Sequence, residues 1–145
     1  MKATVRRMLQ EKGNQIWYVA PESTVYDALK LMAEKEIGAL LVMDGDELAG
    51  IFSERDYARK VVLKGKTSRD TAVKEVMSPK IYYVSPQYTA EECMSLMLDK
   101  RIRHLPVYEN QKLIGIVSIG DVVKAVIDGK DWEITELANY ITGSR

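Results

Sequence analysis

Two kinds of apolar spacing alternate along the chain, and the alternation runs through twice. "QIWYVAP" (15–21) and "KIYYVSP" (80–86) are compact apolar runs, rich in aromatic and β-branched residues and closed by proline. Each reads as a brief strand, over about 15–18 and 80–83, followed by a turn. Behind them Val25, Ala28, Leu29, Met32 and Ala33, and then Ala90, Cys93, Met94 and Met97, recur at helical spacing. Thr24 stands three residues before Asp27 and Thr89 three before Glu92. The second pair is a capping box and the first a weaker version of it, so helices are expected over 24–35 and 89–100. "GALLVMDGDELAGIFS" and "RHLPVYENQKLIGIVS" each hold two apolar runs around a turn-forming tip, Asp44-Gly45-Asp46-Glu47 in one and Asn110 in the other. They predict hairpins, each handing over to a helix, at 54–64 and 119–128. Each unit is then β-α-β-β-α.

Shifting the chain on itself by 65 residues superposes the two patterns without a gap. Identical letters fall at Tyr18/Tyr83, Pro21/Pro86, Thr24/Thr89, Leu40/Leu105, Gly50/Gly115, Ser53/Ser118 and Asp56/Asp121, among others. The chain is a duplication. Two copies of a unit too small to bury its own apolar face predict an α+β fold in which the repeats pack around a pseudo-twofold axis. The expected boundaries are an N-terminal helical segment at 1–13, a first repeat at 14–65, a linker at 66–79, a second repeat at 80–130 and a C-terminal segment at 131–145. Val5, Met8 and Leu9 at one end, and Trp132, Ile134, Leu137 and Ile141 at the other, form stripes that either cover the core or make a dimer contact.

Composition narrows the function. Hydrophobic residues are 46% and charged residues 29% of 145, with 21 basic against 21 acidic side chains. That balance gives no reason to expect nucleic acid as a partner, and Lys60, Lys64, Lys66 and Arg69 read as a solvated linker. Cys93 is the single cysteine, which excludes an internal disulfide and suits a buried small hydrophobe. No signal-peptide pattern and no run of 18 apolar residues is present, so a cytoplasmic protein without a membrane span is expected.

Chemistry concentrates where the second hairpin strand meets the last helix, at "GIFSERD" and "GIVSIGD". Gly50 and Gly115 allow close approach, Ser53 and Ser118 stand at helix starts, and Asp56 and Asp121 follow one turn on. Serine with an acid three residues later is a capping device that needs no ligand. The same geometry suits a nucleotide: a helix start supports phosphate, and a carboxylate one turn in can accept both hydroxyls of a ribose. Both readings stay open on the residues alone.

"YYVSP", "VKEVMSP" (73–79), "IRHLPVYENQKLIGIVSIGD" and the first-half block "IGALLVMDGDELAGIFSERD" together resemble the CBS motifs, the repeats named after cystathionine β-synthase. The resemblance spans residues 8 to 129 and is to one CBS pair, or Bateman module. It implies two clefts that take adenosine nucleotides (AMP, ADP, ATP or NAD). One would be floored by Gln15, Ile16, Trp17 and Ile37, with ribose on Asp121 and phosphates near Ser118, Gly120, Arg103 and His104. The other would use Lys80, Ile81, Tyr83, Ile102, Gly38 and Ala39, with ribose on Asp56 and phosphates near Ser53 and Arg55. The first copy departs from the pattern, carrying Ala39-Leu40-Leu41 where the second has His104-Leu105-Pro106. The Asp121 cleft is accordingly the better phosphate site.

The expected function is a stand-alone regulatory module that senses an adenine nucleotide through a change of conformation or assembly. The nucleotide is then a regulatory ligand; no catalytic cofactor, metal or catalytic residue is expected, His104 having neither a cysteine partner nor a Ser-His-acid order around it. A homodimer and a separate regulated protein are the implied partners. The alternative is a structural or scaffold dimer with vestigial clefts, and an enzyme acting on the nucleotide is the more remote one.

Overall fold

In the computed structural model, residues 3–129 are described, and in chain order they form α1 (Val5–Lys12), β1 (Tyr18–Val19), α2 (Val25–Lys35), β2 (Ala39–Asp44), β3 (Glu47–Ser53), α3 (Glu54–Asp56) running into a π-helical stretch (Tyr57–Val62), α4 (Val73–Val76), α5 (Ala90–Lys100), β4 (His104–Glu109), β5 (Lys112–Ser118) and α6 (Ile119–Asp128). The fold is α+β and carries the repeat twice. The described residues divide into two compact units: a mid-chain unit, Ile16–Ile81, and a split unit, residues 3–15 with 82–129.

In the mid-chain unit β1 runs parallel to β2, pairing Tyr18 with Leu41 and Val19 with Val42, and β2 is antiparallel to β3. The opening strand is shorter and later than the apolar run suggested. Trp17 contributes only its carbonyl, to the Leu41 N–H at 3.4 Å, and Gln15 and Ile16 precede the ladder. The split unit reduces that strand further, to a parallel bridge between Val84 and Val107, with the β4–β5 hairpin beside it. Val84 donates to the carbonyl of Pro106, which keeps its acceptor although its ring removes the donor.

Both hairpins turn on two residues and share a bulge after the matched valines, Val42 and Val107. Thr24 caps α2 by accepting the Asp27 N–H at 3.1 Å, while Thr89 and Glu92 close the full box on α5, at 3.1 and 2.9 Å. Glu92 reaches back to its cap amide and Asp27 does not. The helix expected over 54–64 is wound wider than its copy: Leu63 donates to Ala58, five residues back. The wider turn places Val61 in the core at 1% exposure and leaves Val62 and Leu63 to solvent.

Each unit has its own core, and each core is closed by a leading helix. Val25, Ala28, Met32, Leu40, Val42, Phe52 and Val61 are buried with Val73 and Val76 of α4. In the split unit Ala90, Cys93, Met97, Leu105, Val107, Val117 and Val122 are buried with Val5, Met8 and Leu9 of α1. An eight-residue helix has little stability alone, so burial holds α1 in place, at about 1.5–3 kcal/mol for a fully buried aliphatic side chain. The stripe on α1 therefore covers a core. Its counterpart at Trp132–Ile141 lies outside the described residues.

The two leading helices are copies of one another at an offset of 68. Val5 donates to the Tyr88 carbonyl and Arg6 to Pro86, as Val73 donates to Ser23 and Lys74 to Pro21. Ala90 returns a bond to Ala3 as Val25 does to Thr71. "TVRRML" and "AVKEVM" are thus the same device, and α4 is a core element within what reads in sequence as a linker. The basic stretch ahead of it is largely solvent-exposed as expected, with Arg69 stacked 3.9 Å from the Tyr26 ring.

Candidate functional site at the strand-to-helix junctions

The serines and aspartates singled out in both copies meet as reciprocal caps. Asp121 Oδ2 accepts the Ser118 N–H at 2.8 Å, and Ser118 Oγ accepts the Asp121 N–H at 3.2 Å. In the mid-chain unit Asp56 Oδ2 accepts the Ser53 N–H at 2.9 Å and the Ser53 hydroxyl at 3.0 Å, while Ser53 Oγ accepts the Asp56 N–H at 3.2 Å. The first helical amides are also used, Ile119 donating to the Arg103 carbonyl at 2.8 Å and Glu54 to Gly38 at 3.1 Å. Between these two satisfied positions stand the N–H groups of Gly120 and Arg55. At the second position of a helix an amide has no intrahelical acceptor, so these groups are what each junction offers an anion.

The charged neighbours of the two aspartates differ. Lys60, one turn along the same helix, lies 3.2 Å from Asp56 Oδ1. Asp121 is met instead from α1: Lys12 Nζ stands 2.6 Å from Oδ2 and donates to the Ile116 carbonyl at 3.1 Å. Burial raises the Asp121 carboxyl, but the Lys12 hydrogen bond, the Ser118 amide, the Lys12 charge and the Ser118 hydroxyl outweigh it and hold the group below its ordinary value. The carboxylate is ionised and ready to accept. Lys60 was legible as an i,i+4 partner; Lys12, 109 residues from Asp121, had no local signal.

β4 sets His104 opposite Ser118, as β2 sets Ala39 opposite Ser53. Burial, and then the Lys12 and Arg103 charges, push the His104 imidazole below its ordinary value against the pull of Asp121. Burial and the two cations thus favour the neutral imidazole. In the split unit the fold thus gathers Arg103, His104, Ser118, Gly120 and Asp121 around one junction and adds Lys12 to them. In the mid-chain unit Arg55 is exposed beside Asp56, and Ala39 is buried within the β2–β3 ladder.

The residues expected to surround a base fall in both units. Ile16, Trp17, Ile37, Gly38, Lys80 and Ile81 belong to the mid-chain unit, and Gln15, Tyr83 and Ile102 to the split one. Trp17 carries Lys35 Nζ 4.2 Å from its ring, and Ile37 and Gly38 border an open pocket with Leu29, Met32, Ala33, Glu36 and Glu54. Tyr83 is 60% exposed, with its ring tilted 59° against Tyr108 at 5.1 Å. Ile102 packs on the core of the split unit. Among the described residues no group of three or more His, Cys, Asp or Glu is placed to hold a metal, and no helix is long and apolar enough to cross a membrane.

A duplicated α+β unit with matched capped junctions defines a class of paired-repeat domains. The CBS-domain family model matches residues 13–63 and 73–128, and the chain belongs to that family. It is 43% identical over 136 residues to the mitochondrial CBS domain-containing protein CBSX3 of Arabidopsis thaliana, covering 90% of this chain and 66% of that protein. Among solved structures, it is similar to a CBS-domain protein from Burkholderia ambifaria MC40-6, at 53% identity and a TM-score of 0.86 over 90% of this chain and 98% of the other. A CBS-domain containing protein from Agrobacterium tumefaciens is 36% identical, with a TM-score of 0.82 over 87% and 95%.

Proposed function

We propose that this CBS-domain protein is a non-enzymatic regulatory module that binds adenosine nucleotides, with the Asp121 junction as its principal site. The observation that carries the reading is the ionised Asp121 carboxylate beside the Lys12 ammonium, at a junction that also holds the Gly120 amide and, next to His104, Arg103. A ribose diol needs the first, and a phosphate needs the others. Asp56, with Ser53 and Arg55, is the second and weaker site, because its strand carries Ala39 where β4 carries His104. Ligand binding would bias conformation or assembly by differential affinity, in a homodimer that acts on a separate protein.

The test is isothermal titration of AMP, ATP, NAD and GTP against the wild type and the Asp121→Ala and Asp56→Ala variants. Loss of the charged acceptor at Asp121 is expected to remove roughly 1.5–3 kcal/mol of binding, a larger effect than at Asp56. GTP is expected to bind most weakly. Affinity unchanged in Asp121→Ala ends the site assignment, and equal binding of GTP and ATP ends the preference for adenine.

One observation favours a scaffold instead. Both aspartates are already satisfied by a cap amide and a lysine, which gives them a structural role without any ligand. That reading expects no heat with any of the four nucleotides and destabilisation of both alanine variants.

A further inference from the structure

Lys12 does in the split unit what two separate groups do in the mid-chain unit. There the Ile51 carbonyl accepts the Ser78 N–H at 2.8 Å, and Asp56 takes its lysine from its own helix. Here the matched carbonyl, Ile116, and the matched carboxylate, Asp121, share one side chain, and it arrives from the last turn of α1. The ammonium ties that turn to β5 and α6 together.

This tie falls on the oxygen a ribose would need. Asp121 Oδ2 already accepts the Ser118 N–H at 2.8 Å and Lys12 Nζ at 2.6 Å. A diol donating to both carboxylate oxygens adds a third donor at Oδ2, beyond its two lone pairs. The Ser118 amide is fixed by the helix cap and cannot leave without undoing the start of α6. Lys12 is a partly exposed chain on four rotatable bonds, and it can.

We propose that Lys12 is a latch that competes with the ribose for Asp121, so that a nucleoside entering the site releases the last turn of α1. The remaining hydrogen bonds and ion pairs from α1 to the rest of its unit lie at its other end, the Ala90 N–H on the Ala3 carbonyl, Val5 on Tyr88, Arg6 on Pro86, and the Arg6–Glu109 pair, while Met8 and Leu9 stay packed in the core. Release therefore frees the end of the helix beyond Leu9, at Lys12 and Gly13, and leaves the rest docked by its first turn and by Met8 and Leu9. Binding at Asp121 is thereby reported at Gly13, whose N–H closes the last turn on the Leu9 carbonyl at 2.8 Å. The inference rests on the assignment of ribose to Asp121.

Adenosine is the probe, because it lacks a phosphate that Lys12 could bind once released. Titration of adenosine against the wild type and Lys12→Met, which keeps most of the apolar stem, is expected to show at least about fivefold tighter binding in the variant. Amide exchange at Gly13 is expected to quicken in the wild type when adenosine is added, and to be fast in Lys12→Met without it. Equal or weaker adenosine binding by Lys12→Met, with the wild type binding measurably, overturns the latch and leaves the nucleotide site standing. Exchange at Gly13 that is the same in the free wild type and the free variant also overturns it. Absence of binding by either protein to adenosine, AMP or ATP overturns both the latch and the site.

Discussion

Leu9 lies so close over Gly115 that a Cβ on the glycine would stand 2.8 Å from the Leu9 Cδ2 atom. The matched Gly50 is covered by the two residues that follow α4, and there a Cβ would stand 2.7 Å from the Ser78 carbonyl oxygen and 2.8 Å from the Met77 sulfur. A leucine terminus can rotate aside, whereas a backbone carbonyl engaged in a bridge cannot. Gly115→Ala is expected to cost about 1 kcal/mol and Gly50→Ala nearer 3 kcal/mol, within the usual range for overpacking. Urea unfolding of the two variants compares them directly, and Leu9→Ala should relieve much of the Gly115→Ala cost.

The β4–β5 turn holds Asn110 at φ 52° and Gln111 at φ 65°, both in the left-handed region. Asparagine tolerates that region, whereas glutamine occupies it at a cost. Gln111→Gly is expected to raise stability by about 1 kcal/mol, giving the Asn-Gly pair such turns favour. Gly45, at φ 64° with open space around it, should show the converse, a loss of about 1 kcal/mol in Gly45→Ala without any clash. Thermal midpoints of the two variants should move in opposite directions.

His104 is the sole histidine, so the window near pH 6 reports on it alone among the side chains. Its imidazole is depressed by burial, then by Lys12 and Arg103, with Asp121 opposing. Between the folded value and about 6.5, the unfolded chain binds more protons than the folded one. Stability is therefore fully present above about pH 6.5 and is lost as pH falls through the folded value. Unfolding at stepped pH from 7.5 to 5.5 should show this decline, and His104→Gln should flatten it. Asp121 adds a second loss of the same sign at lower pH, beginning below about 3.9.

Burial first, and then the Glu92 charge, push the Cys93 thiol up to about 12. The native thiol should resist a disulfide reagent at neutral pH and react only as the split unit opens, so that labelling tracks denaturant. Cys93→Ala is expected to be mild. Cys93→Ser should cost about 1–3 kcal/mol more if its hydroxyl finds no partner in that core.

What could be seen in the chain beforehand was whatever local spacing encodes. Thr24, Thr89, Ser53 and Ser118 announce helix starts because a cap is decided within three residues, and all four are caps here. The hairpin tips were equally plain. The roles of α1 and α4 were not: their bonds to Tyr88, Pro86, Ser23 and Pro21 cross about fifty to eighty residues, and no periodicity carries such distances. At the junctions the local half of each site, serine with aspartate, was readable in both copies. Lys12 belongs to the non-local half and emerges only once β5 and α1 lie together.

The split unit also imposes an order on synthesis. Residues 16–81 follow one another without interruption and can close on themselves while the second half of the chain is still being made. The segment made before them must wait: Arg6 pairs 103 residues downstream and Lys12 pairs 109 downstream. At roughly 5–20 residues per second that delay lasts on the order of 5–20 s. Through it Val5, Met8 and Leu9 lack the core they pack on, a short apolar handle that a chaperone can hold until β5 leaves the ribosome.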